Sequence, residues 1–244
     1  MTVHFLPCSP SYRRAQIDHM ARLARIVVPD LPHHVTQRGN GRTKVFFTSE
    51  DYALYKTLLV EHCRAVNVGT WAWCLMPNHV HLILTPTDPD GLRRALAKVH
   101  RAYAGIIHAR QKKAGHFWQG RFGAVAMDED HLLSAVRYVG LNPVRAGLVK
   151  QAADWPRSSA RAHLTGEPDG VTDPQPMRDR LRSSSGLFDL VETDSAAFDA
   201  LRKAESVGRP VGGEAFLSRI AAQTGKAVKP GKRGRRGKIS ALSP

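Results

Sequence analysis

His79, Val80 and His81 place two imidazoles two residues apart. On an extended strand, residues at that spacing point to the same side. Two neutral imidazoles side by side suit a divalent cation. A His-x-His pair alone is common and needs partners before it means chemistry. Tyr138 and Asn142 are candidates, spaced i and i+4 in Val136-Arg137-Tyr138-Val139-Gly140-Leu141-Asn142-Pro143-Val144. On a helix this spacing brings both to one face. Asn142 has a carbonyl oxygen for a hard cation, and Tyr138 a phenolic oxygen for a phosphorus atom beside it. The same pair also suits a core tyrosine and a residue capping the end of a helix. Tyr103 is the rival nucleophile, with helix packing as its other role.

Specific elements must hold these side chains. His33–Arg38 reads as a strand closed by the turn Gly39-Asn40-Gly41. Ser49 is the expected N-cap of a helix with apolar positions Tyr52, Tyr55, Leu58, Leu59 and Cys63, ending near Asn67-Val68-Gly69. Thr70–Met76 and His79–Thr85 form a hairpin across Pro77-Asn78. Leu92 to Lys112 is helical, Phe122 to Met127 a strand. Asp128-Glu129-Asp130 starts a last helix, expected to stop at Asn142 because a residue before proline avoids the helical region. Strand, helix, strand, strand, helix, strand is the βαββαβ order of a ferredoxin-like α+β fold. It predicts an antiparallel sheet with helices on one face, then a tyrosine-bearing helix and a basic extension.

Composition narrows the partner. The 244 residues carry 36 Lys and Arg against 21 Asp and Glu, a net charge of +15. Such an excess favours a polyanion, since each neutralised phosphate releases counterions. Arg38, Arg42, Lys44 and Arg121 suit phosphate contacts, and Trp118 suits base stacking. Phe122 suits stacking or the core. His100, His108, His116 and His131 are expected at the surface or facing DNA; His33 and His34 adjoin the first strand, where one of them could face the site, but a plain strand role is the stronger reading. Lys232, Arg233, Arg235 and Arg236 form a basic tail with no acidic residue. Cys8, Cys63 and Cys74 match no zinc or disulfide pattern. No apolar run is long enough to span a membrane, and the N-terminus lacks a signal-peptide core.

These residues resemble the single-tyrosine HUH transposases, and among them the REP-associated tyrosine transposases. The resemblance rests on His79-Val80-His81, Tyr138 in Tyr-Val-Gly-Leu-Asn-Pro-Val, Pro32 to Asn40, Gly115 to Phe122 and Asn142 to Val149. It spans roughly residues 20–165. Gly208-Arg209-Pro210 and the basic tail extend it. It implies metal-dependent cleavage and strand transfer of single-stranded hairpin DNA through a 5′-phosphotyrosine. Tyr138 would be the nucleophile, and His79, His81 and Asn142 the ligands of Mg²⁺ or Mn²⁺. A hydrolase using activated water would want more carboxylates near the metal, and a regulator that only binds DNA or RNA would not need the four residues together. Two departures stand out: residues 1–19 lie outside the pattern, and Gly140 loosens the tyrosine helix.

The expected organisation is an irregular extension over 1–19, a catalytic domain over 20–165, a linker with short helices over 166–225 and a disordered basic tail over 226–244. Met20 is a second candidate start. The expected partner is DNA, without membrane or nucleotide cofactor. The expected state is a monomer or homodimer in the cytoplasm, associated with the nucleoid.

Overall fold

The computed structural model describes residues 25–180, 186–189 and 194–228. The N-terminal extension over 1–19 and the basic residues Lys232, Arg233, Arg235 and Arg236 lie outside them.

The elements follow the expected order: β1 (His33–Arg38), α1 (Ser49–Arg64), β2 (Val68–Met76), β3 (His79–Pro86), α2 (Gly91–Gln111), β4 (Gly123–Ala126) and α3 (Glu129–Arg145). After these come α4 (Ala160–Thr165), α5 (Gln175–Arg178), α6 (Asp194–Val207) and α7 (Glu214–Thr224). The strands lie in the order β2-β3-β1-β4, each antiparallel to its neighbours.

The pleat of β3 sorts its side chains between two layers. Val80, Leu82 and Leu84 join Tyr55 and Leu59 of α1 and Leu96, Val99 and Tyr103 of α2 in one core. Ile83 lies in the other core, with Val136, Tyr138 and Val139 of α3 and Phe198 and Leu201 of α6. The first two helices therefore share one face, as the βαββαβ order requires. The second face is covered as well, because Ala72, Cys74, Met76 and Ile83 make it apolar and α3 and α6 bury it.

Three local expectations are corrected. Thr48, not Ser49, is the N-cap of α1; Asp51 Oδ2 accepts from the backbone N–H groups of Phe47 and Thr48 (2.8 and 3.0 Å). Helix α3 continues through Pro143 to Arg145. Proline removes one intrahelical donor, but the last turn still closes when Ala146 N donates to Asn142 O (3.0 Å). The first part of the expected linker, at 166–174, makes tight turns against the sheet rather than standing apart from it. Asp169 accepts from the Trp73 indole N–H at 2.8 Å and from Val171 N and Thr172 N. Asp173 N donates to Thr70 O (2.9 Å) on the edge strand β2.

Cys63 and Cys74 are buried free thiols. Among the described residues no helix is long and apolar enough to cross a membrane.

Candidate active site

His79 and His81 stand on the face of β3 that meets α3, with ring centroids 4.8 Å apart. The register pairs Arg38 of β1 with His79 and Thr36 with His81. Asn78 orients the first histidine. Its Nδ2 donates to Arg42 O (3.1 Å), so Oδ1 is the atom turned to His79 Nδ1, 2.6 Å away. An amide oxygen only accepts, so Nδ1 carries the proton and Nε2 keeps its lone pair.

His34 joins them from β1. Its Nε2 lies 3.0 Å from His81 Nδ1, with the rings stacked at 5.2 Å. Burial pushes His34 down to about 3 and His79 down to about 4, Arg38 adding to the shift of His79. Burial also holds His81 well below the ordinary range, followed by repulsion from His79, His34, Arg38 and Arg145. All three imidazoles are therefore neutral at ordinary pH, the form a cation needs.

Tyr138 reaches this cluster from α3. Its ring is edge-on to His34 and His81, centroids 5.6 and 5.4 Å away. Phe198 of α6 packs against it at 5.3 Å, the Arg145 guanidinium lies 5.0 Å from the ring centre, and the residue is 5% exposed. Burial raises the phenol's pKa and the Glu205 carboxylate raises it further, while Arg145 acts in the opposite sense. Asn142 follows one turn later, half-buried. None of the hydrogen bonds seen among the described residues joins its side chain to the histidines.

A carboxylate that the sequence reading missed stands here. Glu205 of α6 places Oε1 3.0 Å from His34 Nδ1 and 3.9 Å from His81 Nδ1. Burial pushes its carboxyl up to about 7, against the pull of Arg38 and Arg202. His34, His81 and Glu205 each offer a ligand atom within 4.8 Å of the others. His81 Nε2 is buried without a hydrogen-bond partner. Neutral imidazole nitrogens, a carboxylate and an orphaned ring nitrogen fit a divalent cation. Strand alternation puts His34 on the same face as Thr36 and Arg38, but only the β1–β3 register shows that this face is the one carrying His81. Glu205 is an isolated acid in sequence, with no signal marking it.

Tyr103 lies on the other side of the sheet from the histidines. It is fully buried in the α1–α2 layer, and its hydroxyl donates to Val45 O (2.7 Å). His100 is also internal rather than facing DNA: its Nε2 lies 3.0 Å from the Tyr55 hydroxyl. Arg42, Lys44 and Arg121 are exposed, and Arg38 is half-buried beside the histidines. Trp118 is half-buried; its indole N–H donates to His100 O (3.0 Å) and its ring packs on Phe117. Phe122 is a core residue with the Arg25 guanidinium 3.7 Å from its ring centre.

Residues 27–142 match the family described as "Transposase IS200 like". That stretch contains the whole sheet, the histidines and Tyr138. A REP-associated tyrosine transposase of Escherichia coli K12 is 29% identical over 123 residues, which is 49% of this chain and 70% of the relative. A Haemophilus influenzae relative assigned to the same class is 28% identical over 138 residues, covering 52% of this chain and 77% of its own. A solved structure of a REP-associated tyrosine transposase bound to a REP hairpin aligns with 64% of this chain and 90% of its own, with a TM-score of 0.52 and 23% identity. That last likeness establishes the shared fold. The chain thus carries an IS200-like transposase domain at residues 27–142 and is similar to the REP-associated tyrosine transposases.

Proposed function

We propose that the chain cuts and rejoins single-stranded DNA carrying hairpins through a 5′-phosphotyrosine on Tyr138. The observation that carries this is the Tyr138 ring held edge-on against His34 and His81. The REP hairpin bound by the solved relative supports the choice of substrate, and the +15 charge supports a polyanion.

The Tyr138 oxygen attacks phosphorus as its proton leaves, and the departing 3′-oxygen takes up a proton. One phosphoester replaces another, so a 3′-hydroxyl can reverse the step without ATP. His79 and His81, with Asn142 as oxygen donor, would hold the Mg²⁺ or Mn²⁺ ion. Such an ion would neutralise the nonbridging phosphate oxygens and hold the group for in-line attack. Asn78 fixes the ring of His79. Burial makes the phenol a weak acid, so activation has to accompany substrate binding. Arg145, whose proximity already favours the phenolate, supplies part of it. Arg38, Arg42, Lys44 and Arg121 track the phosphates, Trp118 offers its exposed edge to a base, and Lys232, Arg233, Arg235 and Arg236 extend the basic surface. The reaction takes place on DNA in the cytoplasm, at the nucleoid.

The test is covalent trapping. Full-length protein is mixed with labelled hairpin single strands and Mn²⁺ and run on a denaturing gel beside Tyr138→Phe. A shifted adduct lost in Tyr138→Phe and abolished by chelator is expected. Tight binding with no adduct, across hairpins from the host's own repeats, would make the chain a binding regulator instead.

A further inference from the structure

The geometry points to Glu205 as a metal ligand delivered by the C-terminal helix α6, with His34 beside it, so that the cation site at His81 is completed from outside the His-x-His motif. This rests on the reading of His81 as a ligand and adds two donors to it.

Each residue of this cluster has one buried polar atom without a hydrogen-bond partner: His34 Nδ1, His81 Nε2 and Glu205 Oε1. Such orphans are rare in folded proteins and call for an explanation such as an ion. His34 Nδ1 and Glu205 Oε1 are 3.0 Å apart, close enough for a hydrogen bond but without the alignment for one. Two donors on one cation, each about 2.1 Å from it and at right angles, stand about 3.0 Å apart. One ligand atom from each of the three lies within 4.8 Å of the others, so a small inward shift of the side chains would bring all three to one cation.

The surroundings suit a cation. His34 is fully buried, and the Glu205 side chain is 21% exposed. Glu205 brings negative charge to a face otherwise bordered by the cations Arg38, Arg145 and Arg202. Two imidazoles with one carboxylate favour Mn²⁺, Co²⁺ or Zn²⁺ over Mg²⁺, which prefers oxygen donors and retained water. Helix α6 begins 52 residues beyond the end of the family-matched stretch at 142. A ligand on it would tie the C-terminal extension to the active site, and cation binding would then clamp α6 over the sheet.

The full chain, stripped with chelator and free of DNA, is titrated with Mn²⁺ by calorimetry and with Co²⁺ by visible absorption. Wild type is expected to bind one ion and to melt at a higher temperature with it. Glu205→Gln and His34→Phe should each weaken affinity by at least about ten-fold and shrink the metal-induced rise in Tm. Glu205→Asp should fall between Glu205→Gln and wild type, which separates loss of a ligand from loss of folding. His81→Asn should abolish binding. If Glu205→Gln binds Mn²⁺ like wild type while His81→Asn does not, the inference is overturned and the proposed function survives. If affinity instead follows Asn142→Ala and ignores Glu205→Gln, the oxygen donor is Asn142 and the inference is again overturned. Wild type that binds no ion at all overturns both readings.

Discussion

Tyr138 and Tyr103 lie on opposite sides of one sheet: the first stands edge-on to His81 at 5.4 Å, the second donates its hydroxyl to Val45 O at 2.7 Å. The two therefore predict different losses. Tyr103→Phe should keep the DNA adduct and lower stability by about 1–2 kcal/mol, because the buried Val45 carbonyl loses its donor. Urea unfolding and the trapping gel read the two effects separately. An adduct lost in Tyr103→Phe at unchanged stability would move the chemistry to the other face.

Asn78 is predicted to act through His79. Its amide is locked by Arg42 O, so its oxygen accepts the His79 Nδ1 proton. Asn78→Ala should let the ring change tautomer and turn, weakening Mn²⁺ binding by about ten- to a hundred-fold with little change in melting temperature. Asn78→Asp keeps the acceptor and should retain more affinity. Equal Mn²⁺ affinity in Asn78→Ala and wild type would remove the orienting role.

The sequence was most legible where periodicity and turn chemistry act locally. The end of β1 (His33–Arg38) follows from the Gly39-Asn40-Gly41 turn. The His79/His81 pair needs only the two-residue pleat. His34 needed the β1–β3 register that brings it to His81, 47 residues away, which no local pattern encodes. Glu205 needed the docking of α6, set by Phe198 and Leu201 packing under α3. The turns at 166–174 were misleading for another reason. Asp, Gly and Pro look alike in a loose arm and in tight turns, and only the partner, here the Trp73 indole, distinguishes them.

Gly140 is governed by packing rather than by flexibility. A Cβ placed there would sit 2.2 Å from Phe188 Cε1 and 2.7 Å from Cδ1. Alanine favours a helix over glycine by up to about 1 kcal/mol, but here it must displace a buried ring. Gly140→Ala is predicted to destabilise by about 1–3 kcal/mol, and Phe188→Leu in the same chain should recover part of it. A Gly140→Ala protein more stable than wild type in urea would show that Phe188 does not constrain this position.

Acid should weaken the fold through His100. Burial pushes it down to about 3, with nearby Arg25 adding to the shift, while the unfolded chain titrates near 6.5. Below 6.5 the unfolded state binds a proton that the folded state refuses. The contribution of His100 is therefore complete above pH 6.5 and declines by about 1.4 kcal/mol per pH unit as pH falls toward about 3. Urea melts at pH 7.5, 6 and 5 should show the decline, and His100→Gln should flatten it by one proton's worth. An unchanged slope in that variant would mean that His100 is not held neutral in the folded protein.

Arg121 and Trp118 are near neighbours in sequence with different commitments. Arg121 is exposed, whereas the Trp118 indole N–H is bound to His100 O and its ring packs on Phe117. Arg121→Ala should leave melting unchanged, weaken single-strand binding for every sequence alike, and reduce the slope of log K against log salt by about 1. Trp118→Ala should cost about 3 kcal/mol of stability, because it removes a ring that fills the space between α2 and the 115–122 loop. Binding isotherms at several salt concentrations, set beside urea melts, separate the two. Should Trp118→Ala melt like wild type and still lose single-strand affinity, its ring serves the bases and not the core.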